Sequence, residues 1–315
     1  MTDFQFDRRA IPMGAEVRLW PAPDGWDLRA MRWDAPHGQP VRGSILFQTG
    51  RGDCFEKYLE TFAHWHGQGW TVTSFDWRGQ GGSGRLTERP YCGHIGSFDS
   101  YMSDFAAFYS EWRAATPGPH VVMGHSMGGH LVLRALVEGR AHPDAAVLIA
   151  PMLGVRSALG PFAERAARIL GGVGDSSRPA WSGNERPDTT RSRQSLLTHD
   201  PNRYADEIWW QETRPSLYTG APSWRWLIEA FRSMRMVRRD SALRTMDVPV
   251  LALVAMADRL VDPKAALSVI GRLPDARVVR FGPENAHEIL READPVRNRA
   301  LGEIDIFLSA RAQRQ

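Results

Sequence analysis

Short runs of β-branched and aliphatic residues alternate along the chain with stretches whose apolar positions recur every three or four residues. That alternation predicts an α/β fold, a mostly parallel central sheet flanked by helices. The first two runs, over 16–20 and 26–33, are separated by Pro21-Ala22-Pro23-Asp24-Gly25, a turn composition that predicts an antiparallel hairpin opening the sheet. Further strands are expected over 44–48, 70–75, 120–123, 146–150, 248–254 and 277–281. Asp53 is expected to cap a helix running to Gly67 or Gly69, and Ser97 to cap another. In the second of these, Phe98, Tyr101, Phe105, Phe108, Tyr109 and Trp112 share one face and read as core. Helices over 127–137, 263–273 and 295–310 complete the pattern.

Between 154 and 240 the rhythm changes to helical patches rich in Trp and Arg, with few β-branched runs. The simplest reading is a core in two parts, 1–153 and 241–315, with a helical cap inserted over 154–240.

The strand over 120–123 runs into Gly124-His125-Ser126-Met127-Gly128-Gly129, which fits the nucleophile-elbow pattern G-x-S-x-G between a strand and a helix. A nucleophilic serine must stand at the tip of a sharp turn, and Gly124 and Gly128 remove side chains that would collide across it. The helix N-terminus, with the Met127 N–H, is then aimed at a developing oxyanion. The acid and base of such a triad follow later in the chain. Asp258, just after the strand over 248–254, is the expected acid; Asp262 is its competitor but precedes Pro263 and reads as an N-cap. His287, the only histidine beyond position 199, is the expected base. Gly50-Arg51-Gly52 follows the strand over 44–48, and the Arg51 N–H is the expected second oxyanion donor. This chemistry requires no metal or organic cofactor.

Several of these segments resemble the α/β-hydrolase fold, and within it the monoacylglycerol lipase and bacterial lysophospholipase branch, which includes the serine aminopeptidase S33-type hydrolases. Asp76-Trp77-Arg78-Gly79-Gln80-Gly81-Gly82-Ser83-Gly84-Arg85 is similar to that branch's D-H-R-G-Q-G-x-S-x-R signature, with Trp77 in place of the usual His. Gly124–Gly129 is similar to its G-H-S-M-G-G elbow, and Thr49-Gly50 stands where the branch often has His-Gly. Residues 197–204 and 220–227 resemble the cap of the bacterial lysophospholipases. The resemblance implies a serine hydrolase acting on a single-chain lipid ester, a lysophospholipid or a monoacylglycerol. A general carboxylesterase or thioesterase is the alternative, and a catalytically silent binding protein of the same fold the non-enzyme one. His125, Trp181, Trp209, Trp210 and Trp224 are the candidates for substrate contact. Arg232, Arg235, Arg238 and Arg239, at helical spacing, form the best candidate patch for an anionic headgroup or a peripheral membrane surface; Arg186, Arg191, Arg193, Arg203 and Arg225 are further cations of the insert.

Composition narrows this only at the edges. Hydrophobic residues at 43% and charged residues at 24% describe an ordinary globular protein and exclude disorder. A formal charge of +3 without a basic tail gives no support to nucleic-acid binding. Two cysteines are too few for a disulfide framework. With no signal-peptide pattern and no eighteen-residue apolar run, a soluble, cytoplasmic protein is expected.

Overall fold

The computed structural model describes residues 6–89, 91–157, 162–181 and 190–312. Eight strands form one sheet: β1 (Ala15–Pro21), β2 (Asp27–Trp33), β3 (Gly43–Gln48), β4 (Trp70–Phe75), β5 (His120–His125), β6 (Ala145–Ile149), β7 (Val250–Ala255) and β8 (Ala276–Phe281). Their order is β1-β2-β4-β3-β5-β6-β7-β8. The expected hairpin is present, with Trp20 opposite Leu28, and β2 pairs antiparallel with β4; from β4 to β8 every pairing is parallel.

Burial on both faces explains why the inner strands read as continuous apolar runs. Side chains alternate between two cores. Ile45, Phe47, Val121, Met123, Leu251 and Leu253 point into one, and Leu46, Val122, Ala252 and Val254 into the other. Helices α1 (Leu59–Gly67) and α9 (Asp294–Arg311) cover the first face. The second is covered by α2 (Phe98–Ala115), α3 (Met127–Val137) and α8 (Pro263–Ile270). Phe47 is fully buried against the rings of Tyr58, Phe62 and Trp65, a packing whose loss on truncation to Ala is worth about 3–5 kcal/mol.

The caps divide. Ser97 accepts from the Asp99 N–H and Asp262 from the Lys264 N–H, as expected. Asp53 does not cap: a 3-10 turn over Phe55–Tyr58 precedes α1, and the Phe55 N–H donates to Asp76 instead. The Asp53 carboxylate turns back to accept from Gly50 N–H at 3.1 Å and from Lys57 Nζ at 2.5 Å.

Between β6 and β7 lie α4 (Ala163–Gly171), α5 (Thr190–Leu197), α6 (Pro201–Thr213) and α7 (Trp224–Arg239). Arg186 lies outside the described residues, as does the side chain of Arg191. No helix among the described residues is long and apolar enough to cross a membrane.

Candidate active site

β5 delivers Ser126 into a turn with φ 52° and ψ −116°, a left-handed conformation that a non-glycine residue adopts only when its surroundings hold it there. Three backbone bonds do so: Ser126 N–H donates to Ile149, while its carbonyl accepts from His130 and Met152. A Cβ on Gly124 would stand 2.5 Å from the Gly128 backbone, and one on Gly128 2.5 Å from the Gln48 and Thr49 carbonyl oxygens. Both glycines are therefore obligatory for the turn.

The loop after β8 brings His287 Nε2 to 2.9 Å from Ser126 Oγ, and the loop after β7 brings Asp258 Oδ2 to 2.6 Å from His287 Nδ1. With Nδ1–H directed at the carboxylate, Nε2 is left to accept from the serine hydroxyl. Asp258 Oδ1 is itself fixed by the Leu260 and Val261 N–H groups at 2.7 and 3.1 Å. Asp262, the competing acid, is spent on its helix cap. Burial alone would depress the His287 imidazolium, but Asp258, with Glu288 and Asp53 beyond it, holds its pKa above the ordinary value of 6.5. Burial works to raise the Asp258 carboxyl, and the His287 contact and the two N–H bonds outweigh it, keeping Asp258 ionised below its ordinary value.

Opposite the serine, the turn after β3 is pinned at both ends. Gly50 N–H donates to Asp53, and the Gln80 amide donates to the Gly50 carbonyl at 2.8 Å while accepting from Gly52 N–H at 3.2 Å. A Cβ on Gly50 would lie 3.2 Å from that of Ser126, so this turn passes directly over the serine. The Gly50 and Gly52 amides both donate to side chains that hold this turn, and the backbone N–H groups expected to face an oxyanion, those of Arg51 and Met127, belong to this turn and to the start of α3. The segment 76–82 supports this turn: Trp77 Nε1–H donates to the Thr49 carbonyl at 2.9 Å, and Asp76 accepts from Phe55, Gly82 and Arg29. Burial raises the Asp76 carboxyl to about 6 against the pull of Arg29. The two departures from the resembled pattern, Trp77 and Thr49, thus contact each other.

Sequence reasoning missed a buried charge cluster beside the site. Lys57 Nζ donates to Asp53 at 2.5 Å, to Glu288 at 2.7 Å, and lies 3.0 Å from Glu207 of α6. Arg291 pairs with Glu207 and Glu288, and Arg193 with Glu207 at 2.7 Å. Burial works to neutralise these groups, yet Lys57 is held well above its ordinary value by its three acids, and Asp53, Glu207 and Glu288 are held below theirs by the cations. His125 closes the cluster toward the elbow: its Nδ1 lies 2.9 Å from Tyr58 Oη and its Nε2 3.4 Å from the His287 carbonyl oxygen. Burial depresses His125, so it stays neutral.

Ser126 and His287 open into a cavity of about 470 Å³, in the range of small-molecule sites. Its wall includes Arg51, His125, Met152, Leu170, Trp181, Trp224, Trp226, Leu227 and Phe231. Trp181 and Trp224 therefore stand where substrate contact was expected. Trp209 and Trp210 do not. The Trp210 indole N–H donates to the Arg8 carbonyl and Arg9 lies over Trp209, because α6 turns this face toward the N-terminal arm rather than toward the cavity. Trp226, which packs its edge on Phe98, joins the wall instead. The arginine patch on α7 lies outside the cavity wall. Arg232 pairs with Glu229 and Arg235 with Glu164, and none of the four lines the cavity.

Residues 39–294 match the family described as serine aminopeptidase, S33. The chain belongs to this family. Among its relatives, lysophospholipase L2 of Escherichia coli (strain K12) is 29% identical over 304 residues, covering 91% of this chain and 85% of that protein. A probable lysophospholipase L2 of Haemophilus influenzae is 26% identical over 274 residues, covering 86% of this chain and 85% of that one. Among solved structures, a soluble variant of monoglyceride lipase from Saccharomyces cerevisiae with a substrate analogue superposes with a TM-score of 0.76 at 18% identity, covering 98% of this chain and 99% of that one. Monoacylglycerol lipase from Paleococcus ferrophilus gives 0.70 at 20% identity, covering 90% and 99%. The fold is the α/β-hydrolase fold, and these family relatives lie in the branch that the motifs resemble.

Proposed function

We propose that the chain is a serine ester hydrolase acting on single-chain lipid esters, lysophospholipids or monoacylglycerols, with Ser126, His287 and Asp258 as its triad. The observation that carries this is the hydrogen-bonded chain from Ser126 through His287 to Asp258 at the floor of a largely apolar cavity. In this reading Ser126 Oγ attacks the ester carbonyl while His287 Nε2 takes its proton, and Asp258 stabilises the imidazolium. The carbonyl oxygen becomes an oxyanion that accepts from the Arg51 and Met127 N–H groups, each worth about 3–4 kcal/mol in sites of this kind. Collapse returns the proton to the departing glycerol oxygen, and water resolves the acyl-enzyme through the same base.

Helices α4 to α7 act as a cap in this reading. Phe162, Ile169, Leu170, Val173 and Trp181 are exposed around α4, and Leu170 and Trp181 also line the cavity, so a lipid surface would meet the mouth of the site there. The family's description names peptide chemistry, but among the described residues the wall's only carboxylates, Asp53 and Glu288, are both held by Lys57, which leaves neither to bind a substrate amine. The test is labelling with a fluorophosphonate probe together with hydrolysis of a lysophosphatidylcholine and a monoacylglycerol of the same chain. Labelling at Ser126 and hydrolysis of either lipid, both abolished in a folded Ser126→Ala variant, are expected; folded protein that takes no label overturns the assignment.

A further inference from the structure

Among the described residues, four arginines line the cavity that holds Ser126: Arg51, Arg156, Arg193 and Arg259. Two of them are committed to the protein. The Arg51 guanidinium donates to the Gly220 carbonyl at 2.8 Å and lies over the Trp226 ring, and Arg193 pairs with Glu207. The other two are not: among the described residues no hydrogen bond or ion pair engages the guanidinium of Arg156 or Arg259, and both are exposed.

Their backbones are fixed close together. Val155 pairs antiparallel with Val261, and the Arg156 N–H donates to the Leu260 carbonyl at 2.9 Å, so the loops after β6 and β7 form one short ladder at the rim. Arg259 directly follows Asp258, one hydrogen bond away from His287. Among the described residues the wall's two carboxylates, Asp53 and Glu288, are neutralised by Lys57 and Arg291 together, so the uncompensated charge at this rim is positive, above a largely apolar cavity.

We infer that Arg156 and Arg259 form a phosphate subsite that selects the phosphate-bearing member of the two lipid classes, a lysophospholipid over a monoacylglycerol. This deepens the proposed function and rests on it. The glycerol backbone alone separates the scissile carbonyl of a lysophospholipid from its phosphorus. With the acyl chain in the apolar cavity and the carbonyl at Ser126, the phosphate must therefore fall beside the triad, at the level of the loop that carries Arg259. Guanidinium groups suit this task, since their planar forks match phosphate oxygens and stay charged at any working pH. The subsite is formed by the cavity's own arginines and not by those of α7, which do not line the cavity, because recognition has to be aligned with the ester.

The test compares kcat/KM for a lysophosphatidylglycerol and a monoacylglycerol of the same acyl chain, in the wild type and in Arg156→Gln, Arg259→Gln and the double variant. Lysophosphatidylglycerol is chosen because its headgroup brings a phosphate and no cation. The wild type is expected to prefer the lysophospholipid, and the double variant to lose about tenfold to a hundredfold of that quotient, as charge-assisted hydrogen bonds of this kind predict. Raising the salt concentration should erode the preference of the wild type and not the residual preference of the double variant. A quotient unchanged by the double substitution, with melting temperature preserved, overturns the subsite. Competition by inorganic phosphate that disappears in the double variant while the quotient stays put would show a free-anion site and equally overturn it. A wild type that cleaves neither lipid and takes no fluorophosphonate label sinks the underlying function, and the subsite with it.

Discussion

Replacing Lys57 by Met removes the one cation among the described residues that touches Asp53, Glu207 and Glu288 together, at a site where only 2% of the lysine side chain is exposed. The cluster otherwise balances: three acids face Lys57, Arg291 and Arg193. Methionine keeps the length and apolar stem of lysine, so the packing is nearly retained, and the loss measured is that of the charge. Leaving one buried carboxylate uncompensated costs about 3–5 kcal/mol. That is a large share of the roughly 5–15 kcal/mol that holds a domain together.

The pH dependence separates this cause from a packing defect. Asp53, Glu207 and Glu288 are held below their ordinary values in the folded wild type, so the stability they contribute is present above their unfolded pKa, near 4, and is lost as pH falls through the lower native values. In Lys57→Met the depression is relieved, and burial pushes the orphaned carboxyl upward instead. It then takes up a proton on mild acidification, and the deficit relative to wild type shrinks. Urea denaturation followed by tryptophan fluorescence at pH 7.5 and pH 5 measures both values. A deficit below about 1 kcal/mol at pH 7.5, or one of the same size at both pH values, would refute the electrostatic account.

Because His287 is held above 6.5, its neutral, proton-accepting form dominates only above that value, and the acid limb of kcat/KM is expected to have its midpoint above pH 6.5. A midpoint below pH 6 would show that another group controls the limb. Asp258→Asn preserves the shape of the loop but reverses the donor facing His287 Nδ1, and kcat is expected to fall by about 10⁴. A variant within tenfold of wild type, measured with the same ester, would assign the orienting role to a different acid.

The sheet and the elbow were legible because both are written in short local patterns. An inner parallel strand must be apolar on both faces, and a strained serine must be flanked by residues without side chains. The face of α2 was legible for the same reason, its aromatic residues all falling on one buried stripe. Direction within the insert was not. The helical period shows that Trp209 and Trp210 belong to a helix, but which neighbour they meet depends on α6 docking against the N-terminal arm, where Asp206 pairs with Arg8 and Arg9. The arginines of α7 were legible only as a spacing: that Arg232 meets Glu229, that Arg235 meets Glu164 and that none of the four lines the cavity depends on how the insert packs.

Lys57 shows how far a local reading can miss a group that matters to the site. In the sequence it is one of two lysines, set among aromatic residues, with an aspartate four positions before it. Only the fold adds Glu207 from the insert and Glu288 from the residue after His287. The cluster therefore ties three regions to one charge: the turn over Ser126 through Asp53, the His287 loop through Glu288, and α6 through Glu207. The segment 76–82 works in the same way. Its conspicuous residues bind no part of the cavity; Gln80 and Trp77 hold the carbonyls and amides of 49–52 in place, and Asp76 holds the Phe55 N–H that would otherwise have drawn Asp53 into a cap. Asp53 is thereby released to fix Gly50 and to meet Lys57. A motif that looks like chemistry in the sequence is, in the structure, the support that allows a single backbone turn to face Ser126.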